Sequence, residues 1–291
     1  MLACLPILLS SNLIFGRSIA GHVAPFLMAF LRWFGTVLVL FPALWLSRQE
    51  CLRFIRAHPG LWLGAGILGM LICGGIVYWS LELTTATNAT LIYATSPLFV
   101  LVLEFFINDR RIALRELAGI GFALAGIAII ALRGELSALN SLQFNIGDIG
   151  ICFAAISWAT YTLMLRSPKF HGLTPTAALG AMSLSGAIVL LPFAGWEVAI
   201  GAPLPNKPAD WQSIIGMVLV SSFFAYIAMQ YAVRRMGAAL TSLTMYLMPI
   251  SSAVMAMVFL GEKIHSYHLF GVVFILVGLG VATVRFQLKE E

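Results

Sequence analysis

Residues 60–81 of this 291-residue chain read GLWLGAGILGMLICGGIVYWSL and contain no charged side chain. At a rise of about 1.5 Å per residue, a helix of this length crosses the roughly 30 Å hydrocarbon core of a bilayer. A helix also pairs its backbone polar groups internally, as lipid requires. The stretch therefore predicts a membrane-spanning helix.

The rest of the chain has the same composition. Hydrophobic residues make up 60% and charged residues 10%, with a mean hydropathy of +0.97. A soluble domain carries about 25% charged residues, so these charges are too few to cover a water-facing surface. The unbroken apolar runs also argue against an outer-membrane barrel, whose strands alternate apolar and polar residues. The net charge of +5 needs no nucleic-acid partner, because its position along the chain explains it.

Ten apolar runs are separated by polar, proline or glycine breaks, so we expect an all-α integral membrane protein with ten transmembrane helices. The first run is expected to be a retained spanning helix rather than a cleaved signal. The approximate limits are 2–19, 25–46, 60–81, 87–107, 114–132, 147–166, 175–195, 211–233, 238–260 and 266–284.

The basic residues alternate between the connections of these helices. If the N-terminus is cytoplasmic, twelve Lys and Arg residues lie inside and four outside, as the positive-inside rule predicts. Arg48, Arg53 and Arg56, for example, fall in a basic loop after the second helix. We therefore expect a multi-pass protein of the cell inner (plasma) membrane, with both termini cytoplasmic. We also expect it to be a monomer.

An internal repeat relates residues 86–133 to residues 238–285, with 11 identities in 48 positions. The most informative pairs are Pro97/Pro249, Gly119/Gly271 and Gly126/Gly278. The implied unit has five helices, and an odd number makes the two copies cross the membrane in opposite senses. We therefore expect two inverted five-helix repeats, residues 1–136 and 147–286, in one membrane domain. Such proteins place the substrate site between the halves and work by alternating access.

Pro97 and Pro249 fall near the middles of the fourth and ninth helices, where proline kinks a helix. Matching interruptions in two halves point to a central site; the alternative is a packing kink with no ligand role. Gly60 and Gly64 form a GxxxG pair that predicts a close helix contact.

The chain resembles the EamA family of the drug/metabolite transporter superfamily over nearly its whole length. The clearest motif is FLGEK at 259–263, followed by Gly271 and Gly278, and residues 157–159 (SWA) are similar to the opening of a second repeat. The first half departs from the family at 108–109, which read Asn-Asp where Gly-Glu is usual. Within the superfamily the chain looks most like the YddG-type aromatic amino acid exporters, which implies export of aromatic and other neutral amino acids.

Few ionisable residues lie inside the predicted helices. Glu104 is expected to form a structural ion pair with the loop that carries Arg110, Arg111 and Arg115. Arg32, which also fits the family pattern, either snorkels or bonds to carbonyls. No Asp, Glu or His lies clearly at the midplane, which argues against a proton relay and against strong capture of a charged substrate. We therefore expect facilitated diffusion or exchange, with weak or no proton coupling.

Aromatic and small polar residues are the candidates for a substrate site, because rings stack on rings and attract ammonium groups. Their alternative role is packing, or membrane-interface belts. The candidates are Asn12, Tyr78, Trp79, Asn88, Tyr93, Trp158, Tyr161, Tyr226, Gln230, Tyr246, Ser251 and Ser252.

Three other functions compete with amino acid export. An exporter of lipophilic cations or drugs would want a buried carboxylate, and the fourth helix offers only Glu104, which looks peripheral. A membrane enzyme would need a catalytic pairing or motif, and a channel would need a filter sequence; neither is found. No cofactor is expected. His265 and His268 are spaced like some metal ligands but lack a third ligand, so no metal site is expected.

Overall fold

All the regular structure in the described part of the chain is helical. The computed structural model describes residues 5–19, 21–109, 111–135, 145–170, 172–251, 254–255 and 265–283. Within these ranges there is no strand, in agreement with the expected all-α class.

Twelve helices are numbered here along the described residues. They are α1 Leu5–Ile19, α2 Pro25–Leu46, α3 Arg48–Ala57, α4 Pro59–Leu83, α5 Ala86–Tyr93, α6 Ser96–Asn108, α7 Leu114–Ala131, α8 Ile146–Met164, α9 Pro175–Ala199, α10 Pro208–Met236, α11 Ala238–Ser251 and α12 Ser266–Thr283. Seven segments of the described chain are long and apolar enough to cross a bilayer: α2, α4, the α5–α6 segment, and α7 to α10. α11 and α12 are shorter apolar helices. The count of ten spanning helices remains a prediction.

The segment after α2 was expected to be a basic loop, and this expectation is wrong. Residues Arg48–Ala57 form helix α3. Cys51 and Phe54, three residues apart, share its buried face. The Phe54 ring lies 5.0 Å from that of Phe170, while the arginines of α3 are exposed. An apolar face packed on the bundle therefore stabilises a helix too short and too charged to be found from hydropathy.

Four helical segments depart from regular α geometry. α4 contains a π segment, Ile67–Ile76, and α10 contains another, Met217–Phe224. The predicted fourth helix is interrupted between α5 and α6, and Pro97 lies in the first turn of α6. In α11 a 3-10 turn, Thr244–Leu247, precedes Pro249. Both prolines thus follow a place where the regular α-helical backbone hydrogen bonds are interrupted, as expected for a residue that lacks a backbone N–H donor.

Helices α7 and α12 meet through glycines. A Cβ on Gly119 would lie 2.5 Å from the carbonyl oxygen of Gly278, and one on Gly126 would lie 2.6 Å from that of Gly271. Only glycine permits backbones to approach this closely. These four glycines are therefore what holds the two helices in direct backbone contact.

The GxxxG pair lies in α4, and its predicted close contact is not found among the described residues. A Cβ on Gly60 or Gly64 would meet no atom of these residues within 4 Å, whereas one on Gly66 would lie 2.7 Å from the backbone carbon of Ser185 on α9. The contact face of α4 is rotated away from the GxxxG positions. The spacing alone does not fix which face of a helix is packed.

The carboxylate of Glu197, near the end of α9, fixes the start of α2. It accepts hydrogen bonds from the backbone N–H groups of Phe26 (3.1 Å) and Leu27 (2.7 Å). Two otherwise unpaired donors are satisfied, and a negative charge lies at the positive end of the helix. This contact helps to position α2, which carries the central residue of the site described next.

Candidate functional site

Arg32 lies in α2 with 4% of its surface exposed, and its guanidinium is surrounded by neutral acceptors. Nε donates to Ser222 Oγ (2.6 Å), Nη2 donates to the carbonyl oxygen of Ser221 (3.0 Å), and Nη1 donates to both Asn12 Oδ1 and Tyr78 OH (3.0 Å each). Tyr78 OH in turn donates to Asn12 Oδ1 at 2.7 Å. One arginine therefore ties together α1, α2, α4 and α10.

The π segment of α10 supplies two of these acceptors. Ser221 and Ser222 both lie within Met217–Phe224. π segments interrupt the regular α ladder and are frequent at functional sites. Here the interruption coincides with the place where a backbone carbonyl and a hydroxyl meet the guanidinium.

Four rings pack beside Arg32. Its Cζ lies 4.8 Å from the centroid of the Trp33 ring and 6.0 Å from that of Tyr226. The Tyr226 ring contacts the rings of Trp33 (4.9 Å), Trp158 (6.1 Å) and Tyr161 (6.2 Å). We call these four residues the ring cluster. It joins α2 of the first half of the chain to α8 and α10 of the second.

A close approach of backbone and ring lets the cluster form. A Cβ on Gly69, in the π segment of α4, would lie 2.7 Å from Cε2 of Tyr161. The absence of a side chain at Gly69 therefore makes room for the Tyr161 ring, which is fully buried.

Three buried polar atoms of this region have no hydrogen-bond partner among the described residues: Trp33 Nε1, Ser221 Oγ and Gln230 Nε2. Buried polar groups are normally paired, and an unpaired one is costly. Gln230 lies one turn after Tyr226 on α10. The ring cluster and Arg32 thus adjoin unused donors, as expected where a ligand or water binds.

Five of the predicted site residues are brought together here. Asn12 and Tyr78 bind Arg32, and Trp158, Tyr161 and Tyr226 belong to the ring cluster. Tyr93 and Gln230 lie at the margin of this region: Tyr93 packs on the same apolar core, and Gln230 is buried with the unpaired amide nitrogen noted above.

The remaining candidates lie apart from the cluster. Asn88 Nδ2 donates to Asp148 Oδ2 at 3.2 Å, at the start of α8. Tyr246 is buried in a second core with α6, α7 and α12. Trp79 and Ser251 are half-buried and have no hydrogen bond or ring contact with the cluster in the described part of the chain. Ser252 lies outside the described residues.

Glu104 forms an ion pair, as expected from the sequence, and one partner is Arg166. Arg166 does not belong to the loop from which the partner was expected. Arg166 Nη1 donates to Glu104 Oε1 at 2.8 Å. Glu104 is buried in the last turns of α6, whereas Arg166 comes two residues after the end of α8. The pair therefore links the first half of the chain to the second. Arg110 lies outside the described residues.

Sequence reasoning missed Trp33, Ser221 and Ser222, and it named Arg32 without counting it among the site residues. The snorkelling alternative for Arg32 is wrong, since the side chain is buried, and bonding to a carbonyl is right only for Ser221. A usable signal was present: Arg32 is the one charged residue in the apolar run 25–46, and such residues are usually functional.

Comparisons with known proteins agree with this architecture. The profile of the EamA-like transporter family matches residues 1–132 and 145–284. The uncharacterized transporter YetK of Bacillus subtilis (strain 168) is 22% identical over 98% of this chain and 86% of its own length. A probable amino-acid metabolite efflux pump of Salmonella typhimurium is 25% identical over 92% of this chain and 89% of its own.

A solved crystal structure has the same fold, with a TM-score of 0.79 at 20% sequence identity, over 100% of this chain and 98% of the other. The family match, in two segments, spans most of the sequence. Its members are transporters rather than enzymes, and the apolar helices make this chain a multi-pass membrane protein. The chain belongs to the EamA-like transporter family.

Proposed function

We propose that this chain is a secondary transporter that exports aromatic and other neutral amino acids by alternating access through a central cavity. The observation that carries the proposal is the ring cluster beside Arg32. Its rings come from both halves of the chain, so movement of one half against the other would change the contacts of a substrate bound there. Flat aromatic side chains stack on such rings.

The contact between α7 and α12 supports an inverted repeat. Phe122 and Phe274 are equivalent in the repeat, and their rings lie 6.2 Å apart. The glycine contacts are reciprocal: Gly119 meets Gly278, and their repeat equivalents, Gly271 and Gly126, also meet each other. A pseudo-two-fold axis produces this pattern, because equivalent surfaces then meet each other. The proposed halves are residues 1–136 and 147–286.

The interruptions before Pro97 and Pro249 are the proposed hinges. They occupy equivalent places in the repeat, and broken helices line substrate sites in many transporters with inverted repeats. Rocking of the halves would open the ring cluster to one side at a time. The proposed setting is the inner membrane, with cytoplasmic termini and a single chain as the working unit.

Lipophilic cations are the alternative substrates, and the described residues favour them less. A cation exporter usually offers a buried carboxylate, yet Glu104 is paired with Arg166 and Glu197 binds the start of α2. The charge beside the rings is that of Arg32, which repels cations. The relative named as a probable amino-acid metabolite efflux pump supports the amino acid class.

Uptake into proteoliposomes tests the proposal. Purified protein is reconstituted, and entry of labelled phenylalanine, methionine, threonine and a lipophilic cation is measured with and without an imposed pH gradient. We expect amino acid entry that equilibrates and does not follow the pH gradient. Entry of the cation alone would overturn the amino acid assignment, and accumulation driven by the gradient would overturn facilitated diffusion or exchange.

A further inference from the structure

The guanidinium of Arg32 has no anionic partner among the described residues. Its four hydrogen bonds go to two hydroxyls, one amide and one carbonyl oxygen. A buried charge surrounded only by dipoles is strongly unfavourable unless a counter-charge completes the site. Its two cation–π contacts, with Trp33 and Tyr226, are weak compensation.

Donors remain free at the same place. A guanidinium has five N–H groups; four make the bonds above, and the Tyr226 side chain also interacts with the guanidinium. The indole N–H of Trp33 and the hydroxyl of Ser221 are buried without a partner. Both belong to residues already touching the guanidinium, through the Trp33 ring (4.8 Å) and the Ser221 carbonyl (3.0 Å). The site thus offers positive charge and unused donors, and it lacks an anionic partner among the described residues.

We propose that Arg32 binds the carboxylate of the transported substrate, so that a carboxylate beside an apolar or aromatic group is what the site selects. This inference rests on the proposed function and adds the recognition element to it. One guanidinium balances one negative charge, which favours a carboxylate over the doubly charged phosphate. Arginine also matches the planar carboxylate with two parallel N–H groups.

The rest of the substrate would lie against the ring cluster. Tyr226 is 6.0 Å from the Arg32 Cζ and about 6 Å from the rings of Trp158 and Tyr161. In this proposal Arg32, rather than an Asp, Glu or His, supplies the charge that captures substrate.

The first test needs no variant. Competition against labelled phenylalanine uptake is measured with phenylalaninamide, which lacks the carboxylate, and with 3-phenylpropionate, which keeps the carboxylate and lacks the amine. We expect phenylalaninamide to compete about ten- to a hundred-fold more weakly than phenylalanine, because it cannot make the charge-assisted bonds. We expect 3-phenylpropionate to compete. Equal competition by phenylalanine and phenylalaninamide would overturn the proposal.

The second test uses Arg32→Gln and Arg32→Lys, with Arg235→Gln as the matched control, since Arg235 is exposed and also lies over a ring, that of Tyr231. We expect Arg32→Gln to lose the preference for phenylalanine over phenylalaninamide, and Arg32→Lys to retain part of it. If a folded, monodisperse Arg32→Gln variant loses affinity for phenylalanine and phenylalaninamide in equal proportion, Arg32 has only a structural role and the proposal is overturned. If Arg32→Gln does not fold, the ligand series above decides.

The two proposals fail in different ways. If the wild-type protein transports 3-phenylpropionate and no amino acid, the carboxylate site is supported and amino acid export is refuted. If amino acids are transported and phenylalaninamide competes as well as phenylalanine, export stands and the carboxylate site falls.

Discussion

Trp158 of α8 is 3% exposed and packs at 5.9 Å and 6.1 Å from the rings of Tyr161 and Tyr226. Replacing it with leucine keeps an apolar side chain but removes the π surface, whereas Trp158→Phe keeps a ring. If an aromatic substrate stacks here, Trp158→Leu should weaken phenylalanine more than leucine as substrates. The ratio of phenylalanine transport to leucine transport separates a loss of stacking from a general loss of packing.

The size of the effect follows from the ring contacts. An aromatic pair contributes about 0.5–1.5 kcal/mol beyond burial of its area, so loss of one substrate contact lowers the phenylalanine-to-leucine preference about two- to twelve-fold. Truncation also costs about 2–5 kcal/mol of stability, by analogy with large-to-small core changes. Variants must therefore be compared as folded protein.

The assay is competition between phenylalanine and leucine in proteoliposomes, with thermal melting in detergent as the check on folding. Trp196→Leu is the matched control, because Trp196 is 61% exposed near the end of α9. We expect Trp158→Phe and the control to keep the wild-type preference and Trp158→Leu to lose it. An unchanged preference in folded Trp158→Leu would remove Trp158 from the substrate site.

Three further predictions concern the scaffold. Gly119→Leu should lower stability by about 1–3 kcal/mol or more, because its Cβ meets a backbone carbonyl of α12, whereas Gly121→Leu, facing open space, should not; equal melting temperatures would refute the close contact. Glu197→Ala should cost about 1–2 kcal/mol by leaving two N–H groups of α2 unpaired, and an unchanged melting temperature would contradict the capping role. Burial raises the pKa of the Cys51 thiol, so maleimide should label it slowly at pH 7 and faster in Phe54→Ala, which loosens α3; fast labelling of the wild type would show that α3 is not packed.

Seven of the ten expected runs coincide with described helices long and apolar enough to span, because the bilayer demands long apolar runs. The expected limits 25–46 and 114–132 lie within one residue of α2 and α7. Hydropathy missed α3, because a ten-residue helix with exposed arginines carries its signal only in the spacing of Cys51 and Phe54. The GxxxG spacing also indicated Gly60 and Gly64 instead of Gly66, because neither spacing nor hydropathy gives the rotation of a helix about its axis.

The site was predictable only in part. Aromatic residues in apolar runs gave Trp158, Tyr161 and Tyr226, which do meet. The Arg32 network depends on partners far away in sequence, Tyr78 and Ser222, 46 and 190 residues away. No local pattern joins such residues. Asn88 looked similar to Asn12 in sequence, yet lies at a helix start where its amide binds Asp148.

Accelerated exchange tests whether the substrate carboxylate completes the site at Arg32. Proteoliposomes are loaded with unlabelled phenylalanine, and the entry of labelled phenylalanine is compared with that into liposomes loaded with phenylalaninamide. We expect internal phenylalanine to speed entry and internal phenylalaninamide not to, because only a carboxylate completes the site at Arg32. Equal acceleration by both, or no entry of phenylalanine at all, would contradict this expectation.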